Sequence, residues 1–163
     1  MDAMTDHSGE AEHPSKPIDY ALINVSYVGA LTGIGVVLHR QGREIDLTPR
    51  EAVLLALATF SLADVFAHER IATWIRRPFD VETPDHRPGH PRGHGLRYAI
   101  GELMACSRCV GSWSALGLIG LRVASPSASG AVTTVLAAGG ANDFLQAAFR
   151  ILKDRSDQLE NPR

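Results

Sequence analysis

Residues 20–38 read YALINVSYVGALTGIGVVL, a run of nineteen positions without a charged side chain. A helix of this length is about 28 Å long, which approaches the roughly 30 Å hydrocarbon core of a bilayer. Gly29 and Gly33 lie four positions apart, a spacing that weakens a soluble helix but lets two membrane helices approach closely. The stretch therefore predicts a transmembrane helix, and a buried core helix of a soluble protein is the alternative.

Three further blocks are poor in charge, and the four together predict an all-α fold, a small polytopic membrane helical bundle of about four transmembrane helices. The second block has a helix start in Thr48, Pro49 and Glu51, as N-cap, first helical position and acidic first turn. The expected spans are residues 20–38, 50–67, 99–121 and 129–149. They lie in a membrane domain (19–150) with an irregular proline- and glycine-rich loop (76–95), between a disordered acidic tail (1–18) and a polar tail (151–163).

Composition excludes several classes of protein. A net charge of −2, a pI near 6.4 and the lack of a basic tract argue against nucleic acid as a partner. Two cysteines cannot form a secreted disulfide framework, and the acidic N-terminal stretch lacks the basic start and apolar run of a signal peptide. The expected partners are the lipid bilayer and proteins that the sequence does not identify, and a homo-oligomer is compatible with the pattern.

The distribution of cations predicts the orientation in the membrane. Eleven lysines and arginines lie in the two tails and the 68–97 connection, against four in the other connections. Because cytoplasmic segments carry the excess of lysine and arginine, both termini are expected in the cytoplasm. The predicted location is the bacterial inner (cell) membrane, with several passes.

The third block contains the most informative string, GELMACSRCVGSWSA, residues 101–115. On one continuous helix, Glu102, Cys106, Cys109 and Trp113 would share a narrow face, because the rotation is 100° per residue. This candidate functional stripe would place a carboxylate, two thiols and an indole together inside the bundle.

The charges within the spans form a second candidate set. Asp64, Arg108 and Asp143 are expected in the same leaflet, where ionisable groups face the protein interior. The favoured interpretation is a polar clasp in which Arg108 pairs with one of the two carboxylates. A polar cavity for a proton, ion or ligand is the alternative, and Arg108 extending to the interface is another.

The two cysteines allow three interpretations. A redox pair is chemically feasible because a helix start and Arg108 stabilise a thiolate, yet no thioredoxin-like βαβ pattern accompanies it. A zinc site needs two more ligands, for which the candidates are His86, His90 and His94. The favoured interpretation is that Cys106 and Cys109 are packing residues, so no cofactor is expected. No nucleophile–base–acid arrangement or phosphate loop indicates an enzyme.

Two segments carry a family resemblance, ATFSLADVFAHERIATWIRRPF (58–79) and HGLRYAIGELMACSRCVGSWSALGL (94–118). They resemble the bacterial domain of unknown function 1360 family, small integral-membrane proteins, some of which carry a sporulation-membrane-protein label. The matching positions are Ala58, Thr59, Leu62, Arg76, Pro78, Phe79, Gly101, Glu102, Leu103, Cys106, Cys109, Gly111 and Trp113. Ser61 and Asp64 stand where members often have basic residues, and Ser107 where proline is common. The resemblance implies membrane residence and four helices, and supplies no reaction.

The sequence thus favours a structural or interaction protein of the membrane. The alternatives are a membrane thiol-redox or metal-binding component that uses Cys106 and Cys109, and a soluble helical subunit of a larger assembly.

Overall fold

The computed structural model describes residues 15–82 and 88–160, and the statements below concern this part of the chain. It consists of helices and one short antiparallel ribbon. In chain order the elements are α1 (Pro17–Gln41), α2 (Pro49–His68), a 3-10 turn (Arg70–Ala72), α3 (Thr73–Arg76), β1 (Asp80–Glu82), β2 (Pro88–Pro91), α4 (Leu96–Ala105), α5 (Ser107–Ala124) and α6 (Pro126–Glu160).

The connection between α1 and α2 ends one helix and starts the next with local signals. Gly42 has a φ of 60° and donates its N–H to the carbonyl of His39, a left-handed conformation that glycine adopts without steric cost. The Thr48 hydroxyl accepts the N–H of Glu51, whose carboxylate accepts the N–H of Thr48 in return. The expected helix start at Thr48, Pro49 and Glu51 is confirmed.

The four long helices alternate in direction. Tyr27 of α1 packs against Trp113 of α5, and Ile34 lies near Gly120, so α1 and α5 run parallel. Glu51, at the start of α2, forms a 2.8 Å ion pair with Arg122, near the end of α5. Helix α2 is therefore antiparallel to α5.

Helix α6 runs alongside α2 in the same direction. Phe60 stacks at a tilt on Phe144, and Leu57 lies against Gly140. These contacts place the start of α1, the end of α2, α4 and the end of α6 at one end of the bundle. We call it the terminal end, because both ends of the described part of the chain lie there.

Small residues form the centre of the bundle. Ala58, Leu118 and Ala137, from α2, α5 and α6, are buried against one another. A Cβ on Gly140 would lie 2.7 Å from the carbonyl oxygen of Leu57, so only glycine fits this approach. Close backbone contact between small residues is the usual way in which helices pack within a bilayer.

The number of candidate spans differs from the prediction. The all-α bundle is confirmed, but in residues 15–82 and 88–160 only α1 and α2 are by themselves long and apolar enough to cross a membrane. The pair α4–α5 makes a third if the two are counted as one broken span. Helix α6 covers the expected fourth span, 129–149, without reaching this apolarity, because it is rich in small residues and contains Asn142 and Asp143.

Other boundaries also differ. The third span breaks at Cys106, and the loop at 76–95 contains the β1–β2 ribbon, paired from Asp80 to Pro91. Most of the expected polar tail continues α6 as helix to Glu160. Helix α1 begins inside the expected acidic tail, whose first fourteen residues lie outside the described part.

Candidate functional site: the Cys106–Cys109 helix junction

The junction between α4 and α5 is a sharp change of direction at Cys106. The two helix axes differ by 92°, and Cys106 has the extended angles φ −95° and ψ 101°. Its N–H donates to the carbonyl of Leu103 and its carbonyl accepts the N–H of Val110. Cys106 therefore closes α4 and opens α5.

Both cysteines lie at the first turn of α5. The Sγ of Cys106 accepts the N–H of Cys109 at 3.3 Å, which makes Cys106 the N-cap of the helix. Both cysteines are free thiols, and both are half-buried. This arrangement places the Cys106 sulfur at the positive end of an 18-residue helix, where negative charge is favoured.

The predicted stripe takes a different form because the helix is broken. The 100° rotation rule does not carry across Cys106, so Glu102 belongs to α4 while Cys109 and Trp113 belong to α5. The Glu102 carboxylate accepts a hydrogen bond from the Tyr20 hydroxyl of α1. Thus Glu102 and Trp113 share a neighbouring helix, α1, rather than one helical face.

Tyr20 and Tyr27 were missed by sequence reasoning. They lie seven positions apart on α1, two helical turns, and contact Glu102 and Trp113 respectively. The sequence does not show which residues these two rings contact. Two tyrosines two turns apart on an apolar helix are nevertheless a signal that this face of the helix packs against another element. Trp113 meets Tyr27 edge to face, with ring centroids 5.3 Å apart.

The predicted clasp is not formed in the described residues. Asp64 pairs with His68, one turn away, at 2.8 Å. Arg108 is exposed and makes no ion pair with Asp64 or Asp143 within residues 15–82 and 88–160. Asp64 and Arg108 do border the same groove of about 700 Å³, together with His68. The i, i+4 spacing of Asp64 and His68 is the signal that could have found this pair.

The zinc hypothesis stays a prediction. No group of three or more His, Cys, Asp or Glu side chains able to hold a metal occurs in the described part of the chain. His86 lies outside that part, and the side chain of His90 is not described. His94 is exposed in the loop before α4.

An apolar groove of about 810 Å³ adjoins the junction. Leu103 and Met104 border it from the end of α4, and Val110 and Trp113 border it from α5. The rest of its wall comes from α2, α5 and α6, among them Phe66, Leu121 and Val135. The junction therefore lies between two grooves: this apolar one, bordered by Leu103, Met104 and Val110, and the one bordered by Asp64, His68 and Arg108.

Residues 54–149 match the family described as protein of unknown function (DUF1360). The chain belongs to this family. No curated protein and no solved structure matches it. The DUF1360 region begins within α2, includes α4 and α5, and ends within α6, so that the helix junction lies inside it and α1 lies outside. The resemblance noted from the Cys106–Trp113 motif is thereby confirmed.

Proposed function

We propose that this DUF1360 protein is a multi-pass protein of the bacterial inner membrane, with both termini in the cytoplasm, and that its role is structural or interactive. The observation that carries the membrane part is the apolarity of α1 and α2, which are 25 and 20 residues long. A 20-residue helix spans about 30 Å, the thickness of the hydrocarbon core. The excess of cations at the terminal end supports the orientation.

The exposure of α1 supports an interaction role. No residue of α1 is buried, although the helix carries no charged side chain from Tyr20 to Leu38. Such a surface is stable against lipid or against another apolar helix, and costly in water. Its partners are the lipid bilayer and other membrane proteins or copies of the same chain.

Extraction of membranes tests the proposal. Alkaline carbonate washing of vesicles that contain the protein should leave it in the pellet, and only detergent should release it. A soluble subunit with apolar faces, the competing proposal, would instead appear in the supernatant after the carbonate wash. Release by carbonate would overturn the membrane assignment and the orientation with it.

A thiol-redox component is a second candidate, favoured by the placement of both cysteines at the first turn of α5, where the Cys106 sulfur accepts the Cys109 N–H. The Cys106 thiolate would attack a substrate disulfide, form a mixed disulfide and release one substrate thiol. Cys109 would then attack the Cys106 sulfur and release the second thiol. In the net reaction the protein dithiol is oxidised to a disulfide while one substrate disulfide is reduced to two thiols.

Equilibration with glutathione tests this candidate. With excess oxidised glutathione, the native chain should lose both alkylatable thiols and form an internal disulfide, two mass units lighter than the dithiol. Cys109→Ser should instead accumulate a glutathione adduct on Cys106. If the native chain keeps two alkylatable thiols or only gains glutathione, the cysteines are packing residues.

A further inference from the structure

The segment directly after α2 presents apolar side chains outward. We call it the post-α2 turn, residues 70–77, which comprises the 3-10 turn and α3. Ile71 and Trp74 are 73% and 74% exposed. They are one helical turn apart and therefore point in similar directions. An exposed tryptophan beside an exposed isoleucine is an unusual surface for water and an ordinary one for a membrane interface.

The inner side of the same turn is fixed to the bundle. Ala72 and Arg76 are buried, and the Arg76 guanidinium donates to the carbonyl of Phe66 at 3.0 Å. The N–H of Arg77 donates to the carbonyl of Thr73 at 2.7 Å. The outward direction of Ile71 and Trp74 is thus set by buried contacts on the opposite face.

Arginines flank the exposed apolar pair. Arg70 and Arg77 are exposed at the two ends of the turn, and residues 70–79 contain no acidic side chain. Arg97 joins them from α4, because its Nε donates to the carbonyl of Pro78 at 2.7 Å. Glu69, exposed just before the turn, is the nearest described carboxylate along the chain.

The position of the turn relative to α2 gives its depth. If α2 crosses the bilayer, its end at His68 reaches the boundary of the hydrocarbon core, and the next two turns of chain lie among the headgroups. Tryptophan is enriched at this level, and arginine side chains there meet lipid phosphates. Anionic phospholipid carries the opposite charge to this surface.

We propose that the post-α2 turn, together with Arg97, binds the phosphate headgroups of anionic phospholipids on the terminal side of the membrane. Ile71 and Trp74 enter the upper acyl region, while Arg70 and Arg77 hold the lipid phosphates. The inference rests on the proposed membrane insertion of α2. The headgroup site adds a preference for anionic phospholipid, which membrane insertion of α2 alone does not require.

Fluorescence quenching tests the proposal in the full chain, reconstituted in vesicles of phosphatidylcholine with phosphatidylglycerol. The chain has two tryptophans, so Trp113→Phe leaves Trp74 as the only tryptophan, which is excited selectively at a wavelength that tyrosine does not absorb. Quenching by shallow spin labels should exceed quenching by labels deep in the acyl chain. Spin-labelled phosphatidylglycerol should quench Trp74 at least about twofold better than spin-labelled phosphatidylcholine, given attraction by several arginines. The emission of the native chain minus that of Trp74→Phe also isolates Trp74, with Trp113 still in place. The ratio of quenching by the two spin-labelled lipids should be the same by this second route.

A matched pair of charge variants identifies the site. Arg70→Gln with Arg77→Gln should bring the ratio towards one, whereas Arg150→Gln with Arg155→Gln removes two exposed arginines of α6 and should leave it unchanged. An equal effect of both pairs, or a ratio of one in the native sequence, would overturn the proposal. Vesicle flotation separates the two failures: protein that does not float with vesicles refutes membrane insertion, and protein that floats without lipid preference refutes only the headgroup site.

Discussion

Cys106 combines two positions that are usually separate, the last residue before a bend and the cap of the next helix. Its extended backbone directs α4 away from α5 by 92°, and its sulfur satisfies an N–H that the first turn of α5 would otherwise leave unpaired. Sulfur is a weak acceptor, so a cysteine at this position is a poor cap compared with serine or aspartate.

Gly140 offers a residue-level test of the contact between α2 and α6. In Gly140→Ala the new Cβ would lie 2.7 Å from the Leu57 carbonyl oxygen, so one helix backbone must move. We expect a loss of about 1–3 kcal/mol in the free energy of unfolding, as for other overpacked sites. Thermal unfolding followed by circular dichroism in detergent measures it.

Gly130 is the control for that variant, on the same helix. A Cβ on Gly130 meets nothing within 4 Å. Gly130→Ala should therefore raise the stability, by up to about 1 kcal/mol, because alanine favours the helix. Equal shifts in the same direction for the two variants would show that α2 and α6 do not approach as described.

At the scale of elements, the sequence predicts where α2 begins but not where the third span breaks. The start of α2 followed from Thr48, Pro49 and Glu51, because an N-cap is a local interaction within one turn. The break at Cys106 did not, because no proline or glycine lies between Glu102 and Val110 to mark it. This break places Glu102 on a different helix from Cys109 and Trp113, while the functional role of these residues stays a prediction.

The charge clasp shows a second limit of sequence reasoning. The sequence shows which charged residues lie within the spans. Whether two of them pair depends on how each helix is rotated about its axis and how deep each residue lies in the bundle, which the hydrophobic periodicity does not give. Asp64 pairs with His68 on its own helix. The ion pair that does join two helices is Glu51–Arg122, between α2 and α5 at the other end of the bundle. The docking of α1 through Tyr20 and Tyr27 likewise required the three-dimensional structure.

The attachment of α1 can be measured through its aromatic contact. In a double-mutant cycle, Tyr27→Ala and Trp113→Ala should show a coupling of about 0.5–1.5 kcal/mol, the usual range for an edge-to-face pair. Tyr27→Ala combined with Phe144→Ala is the matched control, because Phe144 packs on Phe60 instead. Coupling in the control, or none in the test pair, would argue against the parallel placement of α1 on α5.

At the scale of the whole molecule, the alternating directions of the helices bring the two cysteines and the arginines of the post-α2 turn to the same end of the bundle. The helix junction, the post-α2 turn and both ends of the described chain lie at the terminal end, and the short connection between α1 and α2 lies at the other. The family region contains the junction and the bundle centre, whereas α1 lies outside the matched residues. The central claim is therefore that α1 and α2 cross the membrane as a hairpin, with the terminal end in the cytoplasm.

Labelling of introduced cysteines tests this claim most directly. In a Cys106→Ser and Cys109→Ser background, Arg43→Cys places a thiol in the exposed α1–α2 connection, and Ser156→Cys places one on the exposed end of α6. A maleimide that cannot cross the inner membrane should label Arg43→Cys in intact cells, and Ser156→Cys only after the membrane is permeabilised. Protection of Arg43→Cys in intact cells, or equal labelling of both positions before permeabilisation, would contradict the account.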